Sequence, residues 1–305
     1  MKDCNCPRRK QGVTLTRIFV TIFIASLLTL TSTGCSNSTL STTLTASQTI
    51  VSKTLSALSG VKSFNLETDI TNNYKLIGGP TTDITEWEGT KLVGVSNQEM
   101  EMNMTIAEIY SGTNINASLE MYFKDGEEYL KTVATGLYQQ NPWTKTQLNS
   151  TLWNSEAQLS YLTELLKNAA QYSSVENEKV NGIDCYVLTI TSSVQATIDF
   201  VVSQEQPFGT QIDVMWGGGI PIVRQDAYKN GSIQLWINQK NYLPVKVDVN
   251  IDFQGDVGGG SGITISPTTN PIDSNFQGEL NFSNYNQSVS IQLPQGALNA
   301  QIIGN

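Results

Sequence analysis

Residues 231–255 read GSIQLWINQKNYLPVKVDVNIDFQG. After Pro244 the pattern has period two. Val245, Val247, Val249, Ile251 and Phe253 fall on one side, and Lys246, Asp248, Asn250 and Asp252 on the other. Side chains alternate across a strand, so this pattern belongs to a half-buried antiparallel strand with one apolar and one wet face. The preceding LWIN run supplies its partner, and the segment is expected to be two strands and a turn.

The same period recurs along the chain. In SFNLETDI (63–70) it aligns Phe64, Leu66, Thr68 and Ile70. In EMEMNMTI (99–106) it aligns Met100, Met102, Met104 and Ile106 against Glu99, Glu101 and Asn103. Residues 117–133 form a hairpin about Asp125-Gly126, a pair suited to a tight turn, with Leu119, Met121 and Phe123 together on its first strand. KVNGIDCYVLTI (179–190) predicts a second hairpin at Asn181-Gly182 and a well-buried strand. SNFQGELNFSNYN (274–286) and VSIQLP (289–294) are expected to close the sheet.

Helical spacing marks three segments. Ile50, Val51, Leu55 and Leu58 predict a helix over 46–59 that Gly60 ends. Leu159, Leu162, Leu165 and Leu166 predict one over 155–171, and a shorter one is expected at 194–203. About ten strands with two or three helices make an α+β fold, expected to form a single domain over 46–305. Two Gly/Pro-rich stretches, 205–230 and 255–273, are too long for simple connections.

Upstream, residues 1–17 are basic and Ile18 to Leu30 are apolar, followed by Ser32, Thr33, Gly34 and Cys35. This order fits an export signal over 1–34. The small residues before Cys35 resemble a bacterial lipobox, although Ser32 stands where leucine is usual. The resemblance implies cleavage before Cys35 and acylation of its sulfur. Residues 35–45 then make a Ser/Thr-rich tether. An uncleaved anchor is the alternative, with an apolar run short of the ~20 residues that span a bilayer, and free secretion is the third. Localisation at the extracytoplasmic face of the membrane is the expectation.

Composition narrows the function. The chain carries −9, and loss of residues 1–34 leaves 13 positive against 26 negative groups, which disfavours nucleic acid and anionic lipid surfaces. Histidine is absent, which removes Ser-His-Asp and Cys-His nucleophilic systems and the usual zinc sites. No metal site or cofactor is assigned, and Asp256 alone in GDVGGGSG does not make a calcium loop. The carboxylate pairs Glu86/Glu88, Glu99/Glu101 and Asp248/Asp252 each share a strand face, where charges ordinarily meet water. Cys185 alternates with apolar neighbours and reads as a small buried hydrophobe. An enzyme is not expected.

The passages at 180–190 and 235–248, with Asn141-Pro142-Trp143-Thr144-Lys145 before the central helix, resemble the LolA-like and LppX/LprG-like lipoprotein superfamily. The resemblance covers about residues 45–295. It implies a half-barrel, a curved antiparallel sheet wrapped around helices, with an apolar cavity for acyl chains or whole lipids and no catalytic residues. Candidate cavity-lining residues are Met100, Met102, Met104, Leu119, Met121, Phe123, Val247 and Ile251; core filling against the helices is the plainer reading of the methionine face, and a half-barrel allows both. Trp216 and Ile220, beside Gly217, Gly218 and Gly219, suit a lid over that cavity or a cap on the sheet edge. The expected partners are a lipid or other hydrophobe, the membrane through the anchor, and an envelope protein. The rival reading is an interaction module or sensor subunit of an envelope complex.

Overall fold

The computed structural model describes residues 45–76, 82–110, 113–135, 142–148, 153, 159–173, 175–201, 228–256 and 271–302. Cys35, Trp216 and Ile220 lie outside the described residues. The chain opens with α1 (Ala46–Leu58), whose start is fixed by a capping box. The Thr45 hydroxyl accepts from the Gln48 amide at 3.2 Å, while the Gln48 side chain accepts from the Thr45 amide at 2.9 Å. Its buried stripe is Ile50, Val51, Thr54 and Leu58.

Six strands follow in meander: β1 (Ser63–Leu76), β2 (Thr82–Gly94), β3 (Glu99–Tyr110), β4 (Thr113–Lys124), β5 (Glu127–Thr135) and β6 (Thr144–Gln147). After α2 (Leu159–Lys167) come β7 (Ala169–Tyr172), β8 (Glu176–Val180) and β9 (Ile183–Ser192), then α3, the helical residues 194–201. The chain ends with β10 (Tyr228–Asn238), β11 (Pro244–Asp256), β12 (Pro271–Ser283), α4 (Gln295–Leu298) and β13 (Gln301–Ile302).

These thirteen strands form one open, curved sheet in the order β13-β6-β5-β4-β3-β2-β1-β12-β11-β10-β9-β7, with β8 also paired to β9. All pairs are antiparallel except β13 with β6. The mostly-sheet half-barrel expected from the sequence is present. The strands beyond the expected ten include the short edge pieces β6, β7 and β13.

β12 joins the two meanders by pairing with both β1 and β11, so it lies inside the sheet and does not close it. Because β6 is near one edge and β7 at the other, the intervening chain must cross the sheet. Helix α2 lies on that route and packs against α1 and β9.

Both predicted hairpins form. Asp125 and Gly126 (φ 55° and 79°) and Asn181 and Gly182 (φ 49° and 81°) take the paired left-handed conformations of a type I′ turn. The inner face, toward the helices, gathers Phe64, Leu66 and Ile70 of β1, the three methionines of β3, and Val247, Val249, Ile251 and Phe253 of β11 into one buried cluster. Helix residues Leu162, Leu165, Leu166, Ile198 and Phe200 complete it. The bend of the sheet follows a diagonal of inner-face glycines. A Cβ on Gly89 would stand 2.4 Å from the Met104 Cγ, one on Gly278 3.1 Å from the Ile70 Cγ1, and one on Gly231 2.8 Å from the Ile251 Cγ1. Neighbouring side chains lean over these three positions, which lets the inner face close up as the strands coil.

Three expectations are corrected. The central helix ends at Lys167, because Ala169–Tyr172 pairs with β9 as a strand; residues 154–158 lie outside the described set. Residues 289–294 make no ladder. Instead Val289, Ile291 and Leu293 pack on the outer face with Tyr122, Tyr129, Trp143 and Ala297. Burial pushes the phenols of Tyr122 and Tyr129 up to about 12. Val245 does not share a face with Val247. A bulge sets Ile237 against Pro244 and Trp236 against Lys246, and the extra residue places Val245 with Cys185, Val187 and Trp236 in a separate cluster.

Candidate functional site

The predicted lining residues converge. Met100 pairs with Phe123, Met102 with Met121 and Met104 with Leu119 across β3 and β4, so six of the named side chains form three contiguous cross-strand rows. Val247 and Ile251 lie on the same inner face, separated from that group by β2, β1 and β12. The register links the two groups. A single row runs Leu119, Met104, Gly89, Thr68, Leu280, Val247, Leu235 and Leu188. All eight candidates are buried, from 0% for Met100, Met102, Phe123 and Val247 to 4% for Met104. Around them Trp153 packs on Phe123 with ring centroids 6.0 Å apart, and Trp87 meets Phe276 edge-on at 6.3 Å.

Methionine suits such a surface. Its unbranched thioether fills irregular gaps and repacks against differing shapes at little cost. Four methionines on two adjacent strands give the inner face a soft patch, bounded by rigid aromatics. This patch was legible in the sequence.

One inner-face residue was not. β2 directs Trp87, Gly89, Lys91 and Val93 inward, and Lys91 is 3% exposed with Leu66 and Met102 as its cross-strand partners. A lysine between Thr90 and Leu92 carries no sequence signal of burial. Polar groups are otherwise sparse there. Thr68 donates toward the Gly89 carbonyl at 3.5 Å, and the fully buried Thr54 hydroxyl of α1 has no hydrogen-bond partner among the described residues.

The outer face has the opposite chemistry. Two hollows of ≈ 570 and ≈ 460 Å³ open on it, lined in common by Glu88, Thr105 and Ser118. One row sets Glu88 against Asp69, Asp69 against Glu279, and Glu279 against Asp248, four carboxylates on four consecutive strands. Lys246 pairs with two of them, at 2.6 Å to Glu279 and 3.1 Å to Asp248. Hydrogen bonding from Lys246 holds the Glu279 carboxyl below its ordinary range, whereas burial raises that of Asp248 despite the same lysine. Directly opposed like charges destabilise a sheet. Asp69→Asn should therefore raise the unfolding free energy by about 0.2–1 kcal/mol in low-salt urea titrations, and the gain should shrink as salt is added.

Among the described residues no cluster of Cys, Asp or Glu is placed to hold a metal ion. The Cys185 thiol is fully buried, and burial raises it above its ordinary range, as expected of an inert core cysteine. Among the described residues no helix is long and apolar enough to cross a membrane.

Comparison with known proteins adds the following. No curated protein matches the chain. Among solved structures it is similar to the lipoprotein LppX of Mycobacterium tuberculosis (13% identity, TM-score 0.37, covering 80% of this chain and 97% of LppX). It is also similar to LprF of Mycobacterium bovis (12% identity, TM-score 0.43, covering 82% and 96%). A third is a DUF1329 family protein of Desulfovibrio piger (11% identity, TM-score 0.22, covering 79% and 94%). A family model described as a family of unknown function matches residues 46–302, from the first residue of α1 to the last of β13. The chain therefore belongs to the family of unknown function DUF6612.

Proposed function

We propose that this chain is a lipoprotein tethered at the extracytoplasmic membrane face through an acylated Cys35, and that its domain binds or carries a lipid or other hydrophobe against the inner face of the sheet. The reading is of a non-enzymatic carrier. The observation that supports it best is the inner face itself, apolar across β1, β3, β4, β10, β11 and β12 and soft at its methionine patch. Burying an acyl chain there is worth about 0.8 kcal/mol per methylene before ordering costs. That term alone supplies useful affinity for a chain of ordinary lipid length. The spacer 35–45 keeps the domain within reach of the bilayer, and a carrier further implies an envelope protein that delivers or receives cargo. Access for the ligand is assigned to the 205–230 stretch containing Trp216 and Ile220, which acts as a lid in this reading.

A second reading has its own observation. Met100, Met102 and Met104 are already 0–4% exposed, as they are in a sheet filled by its own helices. That favours an interaction module or sensor subunit of an envelope complex.

One experiment separates the two. The full chain is purified from its native membrane and extracted with organic solvent, and the extract is analysed by mass spectrometry. A carrier yields one lipid class at near-stoichiometric amount, retained after removal of the acyl anchor signal. An extract holding only the anchor-derived acyl chains sinks the carrier reading.

A further inference from the structure

Thr54 sits in the middle of the buried stripe of α1, one turn from Ile50 on one side and one turn from Leu58 on the other. Both neighbours belong to the cluster that the helices form with the inner face of the sheet, so the Thr54 side chain faces that interior, and it is 0% exposed. Among the described residues it carries the one buried hydroxyl without a hydrogen-bond partner. A helical threonine ordinarily escapes that state by donating to the carbonyl four residues back. Thr49 of α1 does so to Thr45 at 3.0 Å, and Thr163 of α2 does so to Leu159 at 2.7 Å. Thr54 makes no such bond to Ile50. The other polar side chains of the interior are engaged. Thr68 reaches the Gly89 carbonyl at 3.5 Å, Asn72 accepts from Ser274 at 2.6 Å, and Lys91 is engaged within the protein.

A dry, unpaired hydroxyl costs free energy that a valine of nearly the same shape does not. An interior that only packed its own helices against the sheet would gain from that exchange. A threonine here suits an interior that receives a polar atom from outside the chain. The hydroxyl offers a single donor, which limits what it can meet. A carbonyl oxygen needs one donor, whereas an ionised carboxylate buried against one hydroxyl would stay largely uncompensated.

We infer that the hydrophobe held between the helices and the sheet is an acyl ester. The Thr54 hydroxyl donates to its ester carbonyl, and its acyl chain lies on the apolar inner face. This inference rests on the hydrophobe-binding reading above and gives it a ligand class.

The test offers the full chain, in nonionic amphipol, equal amounts of methyl oleate and a straight-chain alkene of matching length, and measures what is retained by gas chromatography. Wild type should retain the ester over the alkene by at least about fivefold, the worth of one hydrogen bond to a buried donor. Thr54→Val should abolish that preference while holding the alkene as well as before, and Thr54→Ser should keep it. Without ligand, Thr54→Val should melt at or above the wild-type temperature, because it removes an unpaired hydroxyl. The stretch of an isotope-labelled ester carbonyl should fall below its position in hydrocarbon solvent when bound to wild type, and should return to it in Thr54→Val. Equal retention of ester and alkene by wild type, or an unshifted carbonyl band, overturns the inference and leaves the hydrophobe-binding reading standing. Loss of both ligands together in Thr54→Val also overturns it, since the side chain would then only pack. A clear drop in melting temperature or a failure to fold in Thr54→Val does the same, because the hydroxyl would then serve the protein itself. Retention of neither ligand by wild type overturns the inference together with the reading it rests on.

Discussion

Met102→Ala is expected to lower the unfolding free energy by about 2–5 kcal/mol, the range for truncating a fully buried methionine. Met102 is 0% exposed and sits at the centre of the inner face, paired with Met121 on β4 and with Lys91 on β2. Its removal leaves a void in a fully packed inner face. Urea titration followed by tryptophan fluorescence measures it. Glu101→Ala, one residue away on the outer face, is the control and should stay within about 0.5 kcal/mol. Equal effects of the two would mean that β3 does not present its methionines inward.

Gly89→Val is expected to destabilise by about 1–3 kcal/mol or more through overpacking. The new Cβ would stand 2.4 Å from the Met104 Cγ and 3.0 Å from the Asn103 carbonyl oxygen. The first clash involves a flexible side chain and the second involves backbone, so relief can only be partial. Combining Gly89→Val with Met104→Ala should therefore recover part of the loss, a coupling of about 0.5–3 kcal/mol in a double-mutant cycle. Strict additivity would show that Met104 does not lean over Gly89, and the diagonal of glycines would lose its role in bending the sheet.

Much of the fold was legible because its strands are amphipathic with a strict period of two. Phe64 to Ile70, Met100 to Ile106 and Val247 to Phe253 each place one apolar set inward, and the two turn pairs at Asp125 and Asn181 fix their hairpins. The failures have separate physical causes. At 289–294 the alternation of Val289, Ile291 and Leu293 is real, but it serves packing onto Tyr122 and Tyr129 without a ladder. Ala169–Tyr172 continues a helical pattern in sequence and is captured as a strand by β9. The bulge that turns Val245 outward depends on how β10 registers with β11, which no local pattern encodes. The least legible element was β2. Its inward set of Trp87, Gly89, Lys91 and Val93 breaks the apolar period with a glycine that Met104 crowds and a buried lysine. The candidate site was thus readable where it is purely apolar and hidden where it carries charge.

The central claim is that the inner face of the sheet receives a hydrophobic ligand. The most direct measurement is methyl NMR of the full chain labelled at methionine Cε, since four of its six methionines, Met100, Met102, Met104 and Met121, lie on that face. Titration with oleate should shift the four resonances together, and Met100→Leu, Met102→Leu, Met104→Leu and Met121→Leu assign them singly. Oleate that binds while all four stay unmoved, or that fails to bind, would contradict the account.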